Sequence, residues 1–150
     1  MLPFDSYPGG GRQLLGVRKG NNTRREDAPE FMRLVSQKRC AYCGLNITAT
    51  LENWLTVVLD HVVPINLCKS TQIPETWTWD YSNAVLACGA CNGFCNRYSP
   101  SFKVVPPDTL EAFYSLRDKI FAERKEKIAT SREDERLFFE KRPWEHHSGK

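Results

Sequence analysis

Four of the six cysteines fall into two pairs, Cys40-x-x-Cys43 and Cys88-x-x-Cys91, with 44 residues between them. Two intervening residues let both thiolates of a pair point at one ion from a single turn. Two such turns complete a tetrahedral four-cysteine zinc site. Gly44 and Gly89 stand directly after the first cysteine pair and within the second, where tight backbone lets amide N–H groups approach the sulfurs. The pattern requires residues 40–43 to meet residues 88–91, so the long insertion between them must carry folded structure of its own. Two disulfides, or four independent buried thiols, are the alternatives. The N-terminus lacks the basic start and apolar stretch of a signal peptide, and the longest obvious apolar run is only Leu55–Leu59. The expectation is therefore a cytoplasmic protein without a membrane span, and a reducing compartment favours a metal over disulfides. Cys68 and Cys95 lack partner spacing and read as small buried hydrophobes.

The rest of the chain organises around this unit. Residues 1–25 are rich in Gly, Pro, Asn and Arg and read as a flexible basic arm. Asp27 and Glu30 form a capping box that opens a helix to about Lys38, with Phe31, Leu34 and Val35 on its apolar face. Trp54 to His61 reads as a strand, residues 66–82 as a long connection, and Asn83–Ala87 as a second short strand. Cys88–Asn92 turns into a helix predicted to reach about Tyr98. Asp108 with Glu111 predicts a further helix whose apolar face is Leu110, Phe113, Leu116, Ile120 and Phe121, and a last helical stretch covers about Ser131 to Lys141. The fold class is α+β in three parts: the arm, a core over residues 26–100, and a C-terminal helical extension over 101–150 with a frayed tail.

Between the cysteine pairs lies Asp60-His61-Val62-Val63-Pro64; Asn83 begins the next strand, and Asn92 directly follows Cys91. Cleaving a phosphodiester requires a base of near-neutral pKa to activate water, and His61 is suitable. It also requires a divalent cation to neutralise the phosphate, and the Asp60 carboxylate and Asn92 amide are hard oxygen ligands for one. Over residues 40–98 the chain resembles the HNH endonucleases, specifically the subgroup in which two CxxC pairs hold a structural zinc around the catalytic hairpin and helix. The resemblance implies a ββα-metal core with a four-cysteine zinc knuckle, one helix before it and one or two after it. It implies that Asp60 and Asn92 ligate Mg²⁺ or another divalent cation, that His61 is the general base, and that Asn83 fixes the loop and orients His61. The nine positions from Asn83 to Asn92, with CxxC just before the latter, match a common layout of that family.

Three features depart from it. The stretch Cys68–Asp80 is an insertion beside the site. Phe94 and Cys95 stand where many relatives carry a lysine, leaving Arg97 as the nearest cation. Asn96, one helical turn after Asn92, is a candidate extra ligand. Trp77 and Trp79 in the insertion suit either base stacking at a rim or cover for the core.

The charge pattern agrees with a phosphate-holding site without demanding one. Residues 1–39 carry eight Lys/Arg against four Asp/Glu, residues 40–100 two against four, and residues 101–150 eleven against ten. Nucleic acid, most readily DNA, is the expected partner. The rival expectations are a non-catalytic zinc-knuckle module that binds nucleic acid, and a nuclease acting on RNA. Arg117, Lys119, Arg124, Lys125 and Lys127 read as a solvated, ion-paired helix face. An open, oxygen-ligated site further implies that replacing Asp60 abolishes cleavage with little effect on folding.

Overall fold

The structure, a computed structural model, describes residues 37–146 together with the strands Leu15–Val17 (β1) and Thr23–Arg24 (β2). Those two strands pair antiparallel, Leu15 opposite Arg24 and Val17 opposite Thr23. A short ladder thus lies inside the stretch expected to be an unstructured arm. The expected helix after Asp27, with Phe31, Leu34 and Val35, lies outside the described residues apart from its last two positions.

The segment Trp54–His61 divides in two. Leu51–Leu55 is a helix (α1), and only Val58–His61 is a strand (β3). Thr50 caps the helix, its hydroxyl accepting from the Asn53 N–H at 3.0 Å. The Asn53 side-chain amide donates to the Asn46 carbonyl, which ties the same turn down. Local capping thereby outweighs the strand preference of an apolar run whose Leu51 and Leu55 remain exposed.

Strand β3 pairs antiparallel with Ala84–Ala87 (β4), with Asp60 opposite Val85 and His61 opposite Ala84. All four residues of β4 are buried, as its unbroken apolar run requires. The connection between the strands is helical: Ile65–Ser70 (α2), Glu75–Thr78 (α3) and a 3₁₀ turn over Tyr81–Asn83. Asn83 therefore precedes the second strand instead of belonging to it. After β4 comes a short helix, Gly89–Phe94 (α4), ending well before the expected Tyr98. A Cβ on Gly89 would lie 2.9 Å from the Thr56 Cβ, so glycine is what lets α4 start against the β3 approach.

The C-terminal extension is one helix, Leu110–Lys141 (α5), not two; its 32 residues span about 48 Å. Its cap is Thr109, accepting from the Ala112 N–H at 3.1 Å, one residue later than the expected Asp108. Arg142 in the left-handed conformation ends it, and Pro143–His146 adds a single turn (α6). Phe113, Ile120, Phe121 and Ile128 of α5 join the hairpin and the cysteine turns in one core. Among the described residues no helix is long and apolar enough to cross a membrane. The molecule is thus α+β, with small two-stranded sheets and a four-cysteine cluster.

Candidate metal centre and adjoining cleft

The sulfurs of Cys40, Cys43, Cys88 and Cys91 lie within 4.8 Å of one another. The Cys43 and Cys88 Sγ atoms are 3.8 Å apart. Zinc–sulfur bonds of about 2.3 Å in a tetrahedron put sulfur atoms about 3.8 Å apart. A disulfide would need about 2.05 Å, and all four cysteines are free. A glycine turn and a capped helix start build the cluster. Gly44 at φ 77° lets the first pair turn back, with its N–H on the Cys40 carbonyl at 2.9 Å and Leu45 N–H directed at the Cys43 sulfur. In the second, Cys88 caps α4, its sulfur accepting from Cys91 N–H at 3.5 Å. The Ala41 N–H donates to the Leu86 carbonyl at 2.9 Å and fastens one turn to β4.

Hydrogen bonds with Cys88 and Cys91 draw the Cys40 thiol below its ordinary range, while the contacts of Cys91 with Cys40 and Cys88 push its own thiol up. Four sulfurs this close favour a thiolate at one of them; a divalent cation favours it at all four. Arg132 adds a positive charge, its guanidinium 3.8 Å from the Cys91 sulfur. The donor set fits a structural metal such as zinc.

The other predicted residues gather beside this cluster. Asp60, His61, Asn92 and Asn96 line one open cleft of about 440 Å³, with Cys95 and Arg124 in its wall. Hairpin register brings Asp60 and His61 there from the end of β3, and the second cysteine turn brings Asn92 from α4. Asn83 lies outside the cleft and is completely buried. Its side chain accepts from the Val63 N–H at 2.9 Å and donates to the carbonyls of Val63 at 3.1 Å and Thr78 at 3.0 Å. It therefore clasps the loop immediately after His61 to the inserted helices. Arg97 is exposed and does not line the cleft.

Sequence reasoning missed the roles of Arg124 and Tyr42 here. Arg124, placed above on a solvated face, is 2 % exposed. It grips Asp60 with two hydrogen bonds, Nη1 to Oδ2 at 2.8 Å and Nη2 to Oδ1 at 2.9 Å, and Nη1 also reaches the carbonyls of His61 and Val62. Tyr42, between the first two cysteines, donates to the Asp60 Oδ2 at 2.6 Å. Burial, then the Asp60 charge, pushes its phenol well up, so it remains a donor. Trp79 meets His61 edge to face, with ring centroids 5.1 Å apart. Trp77 instead packs on Phe113 and covers the core. Arg117 too is buried, donating to the Ser82 carbonyl at 2.8 Å and holding the 3₁₀ turn against α5. A signal for both arginines existed: 113, 117, 120, 124 and 128 form one stripe at helical spacing, so Arg117 and Arg124 share the face of Phe113, Ile120 and Ile128.

The cleft suits a catalytic cation by donor type, since the Asp60 carboxylate and the amides of Asn66, Asn92 and Asn96 are hard oxygen ligands. Its one carboxylate among the described residues, Asp60, already has a guanidinium for a counter-ion. Comparison with protein-family models, with curated proteins and with solved structures finds no match.

Proposed function

We propose that this chain is a metal-dependent endonuclease of the HNH type that hydrolyses phosphodiester bonds, with DNA as substrate. The observation that carries the reading is the convergence of Asp60, His61 and Asn92 on one cleft from a hairpin and helix joined at a four-cysteine cluster. The hairpin of β3 and β4 followed by α4, with α2 and α3 inserted between the strands, supports a ββα-metal reading, and the Asn83 clasp supports the loop-fixing role implied for it.

In this mechanism His61 accepts a proton from a water molecule in the cleft, and the resulting hydroxide attacks phosphorus in line with the bond to the 3′ oxygen. That bond breaks, the 3′ oxygen takes a proton from solvent, and the products carry 5′-phosphate and 3′-hydroxyl ends. Trp79, edge to face with the imidazole, and the Asn83-held loop that follows His61 restrict how His61 can turn. Asp60 and Asn92 would hold a divalent cation such as Mg²⁺, which when bound supplies charge neutralisation at the phosphate and the leaving oxygen. The four cysteines hold zinc for folding and take no part in the chemistry.

Purified protein incubated with supercoiled plasmid or with RNA, in Mg²⁺, Mn²⁺ or chelator, tests this. Nicking or linearisation of DNA that requires the cation is expected, with His61→Ala folded and slower by about 10²–10⁴-fold. Cleavage of RNA alone would reassign the substrate. Retention of nucleic acid with no cleavage under any condition would make the chain a binding module.

A further inference from the structure

Arg124 reaches Asp60 from the middle of α5, 64 positions along the chain. An ionised carboxylate offers about four lone-pair sites, and three are engaged: Oδ2 by Arg124 Nη1 and the Tyr42 hydroxyl, Oδ1 by Arg124 Nη2. The remaining one belongs to Oδ1. Charge is matched as well as geometry, since a bidentate guanidinium offers the carboxylate two charge-assisted hydrogen bonds, each roughly twice as strong as a neutral one. Yet Asp60 also lines the open cleft with His61, Asn92 and Asn96. The arginine does not depend on Asp60 alone for its place: Nη1 lies 2.9 Å from both the His61 and the Val62 carbonyls. A turn of the carboxylate toward the cleft would leave Arg124 in its berth, two carbonyls still bonded.

We infer that Arg124 competes with a divalent cation for Asp60 and so sets how tightly the cleft holds one. The inference rests on the nuclease reading for the choice of ligands, and it deepens that reading by naming what tunes the site. A cation at Asp60 meets both a shared ligand and a nearby positive charge, so weak binding is built into the site. Tyr42 acts in the same sense but less strongly, because it takes one lone pair and no charge.

The test is Mn²⁺ binding to zinc-loaded full-length protein, read by the electron paramagnetic resonance of free Mn²⁺, so that no turnover is required. Mn²⁺ prefers oxygen donors and leaves the thiolate site to zinc. The wild type is expected to bind weakly, Arg124→Gln about tenfold more tightly through loss of the opposing charge, and Arg124→Lys between the two. Asp60→Asn is expected to lose the site. Should Arg124→Gln not fold, Arg124→Lys and Tyr42→Phe carry the test, each expected to bind more tightly than wild type. Folded variants that bind no more tightly than wild type, or Asp60→Asn with unchanged Mn²⁺ affinity, overturn the inference. Plasmid cleavage on the same preparations separates the two readings. Cleavage with Mn²⁺ affinity indifferent to Arg124 and Tyr42 removes only this inference; tighter Mn²⁺ in a protein that cuts nothing removes only the nuclease.

Discussion

The four-cysteine cluster and the Asp60 cleft share the same hairpin and short helix, and they are built on opposite principles. The cluster draws its ligands from two tight turns, each supplying two sulfurs, three of the four cysteines being fully buried. Its ligands make few competing contacts beyond one another, two amides and Arg132. The cleft is open, and the one carboxylate on it is bound three times over by Arg124 and Tyr42. A closed set of soft donors gains most of its energy from the ion. An open set of hard donors keeps its charged member occupied by the protein, because a lone buried carboxylate would be costly. On the reading proposed above, metal and fold are one energetic unit in the first region and rivals for the same oxygen atoms in the second.

That contrast is broken or sharpened first by removing a sulfur. Cys88→Ser is expected to lose zinc and unfold the core together, since structural zinc contributes about 10–16 kcal/mol of apparent binding free energy in small zinc domains. Zinc stoichiometry and thermal midpoint check it; a variant keeping both at wild-type values would show that the cluster holds no structural metal. Asp60→Ala comes next. The sequence alone implies little effect on folding, and the buried Arg124 pair argues for a larger one. Leaving a buried guanidinium without its carboxylate costs about 3–5 kcal/mol. Urea unfolding checks this, and Asp60→Ala combined with Arg124→Met should recover part of the loss. A single variant as stable as wild type would mean that the pair contributes nothing to folding.

The smallest effect belongs to Glu123, which ties the segment after α4 to α5 through Tyr98 and Ser101. The Ser101 hydroxyl leads in holding its carboxyl down, from an ordinary 4.5 to about 2. A depressed folded value means that this contribution is complete above about pH 4.5 and disappears as pH falls from there toward about 2. Urea midpoints between pH 6 and 3 should therefore slope less in Glu123→Gln than in wild type. Equal slopes would show that the bonds to Ser101 and Tyr98 do not favour the ionised form.

Much of the site was legible because its signals are local. CxxC spacing and the apolar run of β4 each depend on neighbouring residues. Expectations failed where two local signals compete. At Trp54–Leu55 an apolar run argued for a strand, and the Thr50 cap made a helix. Around residue 130 no strong stop signal stands between two apolar stretches, so α5 runs through and buries Ile128 on the way. Arg117 and Arg124 were assigned to solvent by residue type, although their helical spacing placed them on the buried face.

Sequence alone determined that residues 40–43 and 88–91 must converge, because tetrahedral thiolate geometry leaves two CxxC turns few other arrangements. It determined the apolar character of β4 and the nearness of Asn92 to the cysteine cluster for the same reason: each follows from the geometry of a few consecutive residues. Only the tertiary structure decided what Asp60 faces. Its partners lie 18 positions before it and 64 after it. Contacts across such spans leave no mark on local spacing, since they exist only once the core has closed around α5. Their strength comes from that closure, which removes the water that would otherwise satisfy both charges.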